Sequence, residues 1–377
     1  MDNAIIKWGI LGTSFISEVM ANAIQESKTS ELVAIGSRTS KIAKRFSEKF
    51  AIPKFYDNYQ SLILDSDIDV VYIGLPNHLH KEWIIRCAQA GKNILCEKPF
   101  VVGIEEIHEV ISVIERTNVF CMEALMYRYH PFIKKLQEII QSNTIGKIKL
   151  YNATYTANIA EIANPVAGGS IRNLGCYPIS LVRLLANAEP IEIRGIGRMN
   201  SRNNTDSQAS VLLKFEDDSI AAVSTADDIE MHWQFEVYGT KGHLKVETNP
   251  WLPGSEGNKI YISLNTQSTP REISVKAEKS LYTYQIDFIN EQVLKGDSRQ
   301  FSKTSLLDSM GNTIVLETWL KQILSSKPSL ELSRLKDRHA SCISKKVLVI
   351  LVKFSEKRVI CFSFAPDTIP IDRWINC

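Results

Sequence analysis

A lysine stands where a buried strand runs out. The stretch Asn93-Ile94-Leu95-Cys96-Glu97-Lys98-Pro99-Phe100 carries a short apolar run into a charged pair and a proline. A charge at such a place, held by a rigid Pro, is costly unless it does something. Upstream, Gly9-Ile10-Leu11-Gly12-Thr13-Ser14-Phe15-Ile16 joins an apolar run to a helical pattern. The spacing is G-x-x-G-x-S rather than G-x-G-x-x-G, so alone it reads equally as a plain strand-to-helix turn. At a helix start, Gly12 would let the backbone approach a pyrophosphate. The helix N-terminus would offer it unpaired N–H groups, and the small Ser14 a hydrogen bond. Together the two stretches suggest that Lys98 stands beside a nicotinamide ring.

A second apolar run ends in Gly36-Ser37-Arg38-Thr39. An NAD enzyme usually has a carboxylate here for the ribose 2′-hydroxyl. A guanidinium between two hydroxyls suits a 2′-phosphate instead, although an exposed loop arginine would look the same. Given a dinucleotide site, NADP is favoured over NAD.

These residues need elements to position them. Near-continuous apolar runs at 4–11, 32–36, 70–74 and 93–96 alternate with helical patterns at 15–25, 40–50, 81–90 and 104–116. That alternation predicts a parallel sheet covered on both faces, an α/β doubly wound Rossmann fold. After about Met122 the pattern changes. A helix over 131–141 leads to a long run at 147–156. Strands then follow one another at 191–197, 209–215, 219–224, 234–238, 243–247 and 259–264, which predicts an α+β domain with an open, mostly antiparallel sheet. Helices over 281–294 and 306–324 are expected to return to the first domain. The expected division is 1–122, 123–326 and a C-terminal tail, 327–377. In the tail, Val347–Val352 and Val359–Phe362 could form a hairpin; no function is read from it.

Bulk properties exclude several classes. The 377 residues favour two domains over one. A net charge of +2 gives no global signal for nucleic acid or a membrane surface. The seven cysteines show no CxxC or Cys/His cluster, so no metal site is expected, and their scatter fits a reducing cytoplasm. The N-terminus runs almost directly into a strand-like segment, without a signal-peptide pattern. No apolar run approaches the roughly 20 residues of a membrane span.

Four landmarks occur in order: the Gly9 turn, Leu75-Pro76-Asn77-His78-Leu79-His80, Glu97-Lys98-Pro99, and Gly168-Gly169-Ser170-Ile171-Arg172-Asn173-Leu174-Gly175-Cys176-Tyr177-Pro178. In this order they resemble the glucose–fructose oxidoreductase/inositol dehydrogenase/MocA family over about residues 4–325. Glu123-Ala124-Leu125-Met126-Tyr127-Arg128-Tyr129-His130-Pro131 further resembles a branch with dihydrodiol dehydrogenases, xylose dehydrogenases and sugar 3-ketoreductases. The resemblance implies an NAD(P)-dependent oxidoreductase acting on a sugar or similar polyol. It places Leu75, Pro76, Asn77, His80, Glu97 and Lys98 at the cofactor and Lys98 also at the substrate hydroxyl, and it implies a homodimer or homotetramer. Tyr177 matches the tyrosine of the family's Asp-x-Gly-x-Tyr pattern, the proposed acid/base. Asn173 stands where that pattern has aspartate, so it is expected to position rather than to ionise.

The expected chemistry is hydride transfer between a nicotinamide and a hydroxyl or ketone. Tyr177 would give the proton, and Lys98 would polarise the carbonyl and draw the phenol's pKa down. Tyr127 and Arg128 are expected either to touch substrate or to pack. His130 is read as starting a helix before Pro131, and Cys176 as a small buried residue. Three functions stay open: a sugar or nucleotide-sugar oxidoreductase, a diol or pentose dehydrogenase on a small free substrate, and a non-enzymatic cofactor- or sugar-binding regulator.

Overall fold

The computed structural model describes residues 4–163, 166–200, 204–296, 298–325, 349–354 and 358–363. The chain falls into two units, 1–325 and 326–377.

The first unit opens with β1 (Ile6–Leu11), α1 (Phe15–Glu26), β2 (Ser30–Gly36), α2 (Ser40–Lys49), β3 (Lys54–Tyr56) and α3 (Tyr59–Ile63). It continues with β4 (Val70–Ile73), α4 (His80–Gln89), β5 (Asn93–Glu97), α5 (Ile104–Thr117) and β6 (Cys121–Ala124). The six strands pair in the order β3-β2-β1-β4-β5-β6, every pair parallel. The chain runs outward in both directions from β1, so the ends of β1 and β4 frame the crevice where such sheets bind ligands. Thr39 and Asn58 accept hydrogen bonds from Ile42 N and Ser61 N and so start α2 and α3. The expected boundary after residue 122 falls inside β6, a strand buried along its whole length.

The same unit then builds α6 (Pro131–Gln141), β7 (Ile148–Thr156), α7 (Cys176–Ala186), β8 (Glu192–Met199), β9 (Asp206–Lys214) and β10 (Ile220–Ala226). β11 (His232–Gly239), β12 (Gly242–Val246), β13 (Asn258–Leu264) and β14 (Arg271–Val275) complete the sheet. The order is β14-β13-β12-β11-β7-β10-β9-β8, antiparallel except for β7 and β10. Alternate residues of β9 are buried against the helices while Leu212 faces out. α6 starts as expected: His130 Nδ1 accepts from Phe132 N at 3.2 Å, with Pro131 in the first turn.

α8 (Leu281–Lys295) and α9 (Ser298–Ser325) return to the first sheet as the sequence suggests. Fully buried Trp8 of β1 donates from Nε1 to Asn290 Oδ1 of α8 at 3.0 Å. Glu317 of α9 accepts from Ile104 N at 2.7 Å and thereby caps α5. α9 also lies tight on β8, where a Cβ on Gly195 would come within 2.3 Å of Trp319. In the second unit β15 (Val349–Phe354) and β16 (Arg358–Ser363) pair antiparallel, the hairpin considered from sequence. The remainder of the tail lies outside the described residues.

Candidate active site

The glycine turn is shaped by its neighbours. Gly12 has φ +98°, and a Cβ there would stand 2.5 Å from the Gly74 carbonyl oxygen. Only glycine lets the turn after β1 lie this close to the end of β4. Ser14 precedes α1 in extended conformation without capping it, and its Oγ meets Ser17 Oγ at 3.2 Å. The first N–H groups of α1 therefore have no side-chain cap, an arrangement suited to a phosphate. Thr13 and Ile16 are half-buried, while Phe15 is 80% exposed.

After β2, Ser37 is buried and Arg38 is exposed. Arg38 makes no ion pair among the described residues, and its charge bears on Tyr59. Thr39 is occupied as the cap of α2, at 3.4 Å from Ile42 N. Of the expected 2′-phosphate ligands, the guanidinium is the one best presented.

The Lys98 turn is rigidly held. Glu97 is buried; Oε1 accepts from Tyr72 Oη at 2.8 Å and Oε2 from Lys98 N at 3.2 Å. Burial pushes its carboxyl up, against the nearby Lys98 charge. The Lys98–Pro99 peptide is cis. His80 is fully buried, Nε2 lying 2.8 Å from Leu75 O and Nδ1 2.9 Å from Pro99 O. It ties the Leu75-Pro76-Asn77 loop to the lysine turn. Pro76 is exposed and Asn77 half-buried, so this loop lines the open side.

Lys98 reaches across to the second domain. Its Nζ donates to Asn173 O at 2.9 Å and lies 5.1 Å from the centre of the Tyr177 ring. The acceptor is the main-chain carbonyl of residue 173, so this contact is indifferent to the amide that replaces the family's carboxylate. Asn77 Nδ2 donates to Ala167 O at 3.0 Å and lies 3.5 Å from Asn173 Oδ1. Asn173 Nδ2 is buried without a partner. Residues 171–175 form a π-helical turn into α7, a widening often found at functional sites. It is anchored by Asp206, which accepts from Ser170 Oγ at 2.8 Å and Ile171 N at 2.7 Å.

Tyr177 is partly exposed, with Tyr127 and Tyr155 at 6.2 and 5.7 Å between ring centres. Its environment reverses one expectation. Lys98 was to draw the phenol down, but burial, with Tyr282, Cys176, Glu97 and Tyr155 nearby, holds it well above 10. The lysine sits over the ring face as a cation–π contact. Cys176 is fully buried, its thiol pushed up to about 12 mainly by burial, so it is the inert residue expected.

Two expected contacts turn inward. Tyr127 is fully buried and shares a 2.7 Å hydrogen bond with Ser180 Oγ. Arg128 donates from Nε to Ser180 Oγ at 3.0 Å and pairs with Asp308 through Nη1 at 2.5 Å. Both take part in bracing α7, on which Tyr177 stands. Sequence reasoning also missed Glu123, whose Oε1 accepts from Phe100 N at 3.0 Å, and Tyr155 beside Tyr177. A lone Glu in the run Cys121-Met122-Glu123-Ala124 was the signal for the first.

A cavity of about 1090 Å³ lies elsewhere, among α6, α7, α8 and α9, and is lined by Arg128, Arg183 and Asp308. Lys98, Asn173 and Tyr177 meet in a different cleft. Volume does not supply a proton donor.

The fold and this cleft define a two-domain oxidoreductase with a nicotinamide-dinucleotide fold. Residues 6–125 match the GFO_IDH_MocA family, described as "Oxidoreductase family, NAD-binding Rossmann fold", and residues 133–245 match the GFO/IDH/MocA C-terminal domain. The chain belongs to this family. It is 28% identical over 327 residues to a trans-1,2-dihydrobenzene-1,2-diol dehydrogenase of Xenopus tropicalis, covering 84% of this chain and 98% of that protein. It is 32% identical to an uncharacterized oxidoreductase of Rhizobium meliloti, covering 66% of this chain and 76% of that protein. Its fold is similar to that of KijD10, a 3-ketoreductase from Actinomadura kijaniata solved with NADP and TDP-benzene. The TM-score is 0.77 at 23% identity, over 85% of this chain and 98% of that one. Among the described residues no helix is long and apolar enough to cross a membrane, and no group of acidic, His and Cys side chains could hold a metal.

Proposed function

We propose that the chain is an NADPH-dependent reductase that converts a ketone of a sugar or nucleotide-linked sugar to a hydroxyl. The observation that carries this is the approach of Lys98 to both Asn173 O and the Tyr177 ring. The uncapped start of α1, the Gly12 turn and exposed Arg38 suit the diphosphate and 2′-phosphate of NADP. When bound, the cofactor supplies the hydride. Lys98 keeps two N–H donors beyond the one given to Asn173, and these polarise the substrate oxygen. Tyr177, held high by burial, stays protonated at ordinary pH and can donate to the developing alkoxide. The same shift leaves little phenolate at ordinary pH, the form that proton abstraction in the reverse oxidation would need. Asn173 Nδ2, buried without a partner, offers a further donor to a substrate hydroxyl.

The dehydrogenase named among the curated relatives supports a second reading, a small free diol or pentose as substrate. Both are tested by incubating purified protein with NADPH and NADP⁺ against keto-sugars, nucleotide-linked sugars, free pentoses and diols. Turnover of nucleotide-linked sugars alone selects the first reading, and turnover of free diols alone the second. No turnover of any of them, with Lys98→Met indistinguishable from wild type, sinks both.

Self-association through the outer face of the second sheet is part of the proposal. Ile196, Leu212, Ile220 and Leu150 are exposed there on neighbouring strands. A monomer in sedimentation at micromolar concentration would remove it. A reducing cytoplasm suits the four buried free cysteines at 87, 96, 121 and 176.

A further inference from the structure

The turn that carries Lys98 is held at three consecutive residues by buried titratable side chains. Glu97 takes the N–H of Lys98, His80 meets the carbonyl of Pro99, and Glu123 takes the N–H of Phe100. Glu97 and His80 belong to the segments already assigned to the cofactor. Glu123 has no such role. It lies on β6 opposite Cys96 of β5, is 5% exposed, and leaves Oε2 buried without a hydrogen-bond partner. A half-satisfied buried carboxyl is expensive, and a fold needing only an acceptor for Phe100 could use a neutral group.

We propose that Glu123 is a positioning residue for Lys98: it fixes the turn through Phe100 N–H, and a change in its protonation changes where the lysine points. The groups facing it leave it alone in the neutral range. Burial first, then Asp308 of α9, push its carboxyl up to about 7. Ser309 of α9, which draws it down without reaching bonding geometry at Oε2, acts in the opposite sense with Arg128 and Phe100 N–H. Asp308 itself, despite burial, is held low by Arg128 and Arg183. Arg128, despite burial, is kept charged by Asp308. Burial pushes Cys96 of β5, Tyr129 after β6 and Cys176 of α7 upward, away from neutrality. Above neutral pH the Glu123 carboxylate accepts strongly from Phe100 N–H; below it, the neutral acid accepts more weakly.

This inference rests on Lys98 being the polarising group, but its test does not need turnover. The lysines of the full chain are reductively ¹³C-methylated, and the Lys98 resonance is identified by its loss in Lys98→Met. In wild type this resonance is expected to pass through an inflection near pH 7; in Glu123→Gln the inflection is absent. A wild-type resonance without a neutral inflection overturns the proposal, and that arm does not depend on Glu123→Gln folding. Identical titrations in wild type and Glu123→Gln overturn it too. With an identified substrate, Glu123→Gln at pH 8 should lower kcat about tenfold, as for a misaimed group, with KM for NADPH unchanged. A loss confined to KM would make Glu123 a binding scaffold and reject the positioning role. A wild type without turnover refutes the oxidoreductase reading alone, and the resonance still decides on Glu123.

Discussion

The two ends of the cleft are built in opposite ways. At the phosphate end, Ser14, Phe15 and Arg38 are exposed, α1 starts uncapped, and Arg38 has no ion-pair partner among the described residues. At the chemical end, His80, Glu97 and Glu123 are buried, and Lys98 is bonded to the opposite domain. The first end presents exposed, uncapped donors. The second is a set of groups held in place before any ligand arrives, which is what transition-state stabilisation requires.

If that contrast is right, changes at the chemical end should strike turnover and changes at the phosphate end should strike binding. Lys98→Met should lower kcat by about 10³ while leaving NADPH affinity within about threefold; steady-state kinetics beside calorimetric binding would check it, and a purely KM effect would collapse the distinction. Tyr177→Phe should cost about 10², the lower end of what a general acid contributes, because water can replace it as donor. Arg38→Ala should weaken NADPH about tenfold and NADH hardly at all, as loss of a charge-assisted contact to a single phosphate implies; equal losses would remove the 2′-phosphate assignment. The smallest effect is expected for Thr39→Ala, about 1 kcal/mol of stability from the lost α2 cap, read as a lower Tm at unchanged kcat.

Stability against pH gives an independent view of the chemical end. The folded pKa of Glu123, about 7, lies above its ordinary 4.5. Its contribution to stability is therefore fully present below about pH 4.5 and lost as pH rises through 7. Glu123→Gln should flatten the fall in Tm over that interval, and an unchanged slope would assign it to other groups.

Much of this architecture was legible because apolar runs announce parallel strands, as at 70–73 and 93–97. The missed elements lacked such a signal. Lys54-Phe55-Tyr56 makes a three-residue edge strand that no periodicity can show. The motif order pointed to Lys98 and Tyr177 as neighbours, and they lie 5.1 Å apart from ammonium to ring centre. The fate of Tyr127 and Arg128 was not legible, since their partners, Ser180 and Asp308, are far along the chain. Glu123 escaped because its partner is a backbone N–H in the turn after β5, which carries no residue identity to read.

Glu317 of α9 caps α5, and Asn290 of α8 holds Trp8. The sheet of residues 6–124 is thus clasped by helices far along the chain, within 281–325. A chimera that swaps only the first 125 residues would leave an indole N–H and a helix start without partners. Exchange of cofactor preference between relatives should therefore succeed when both segments travel together.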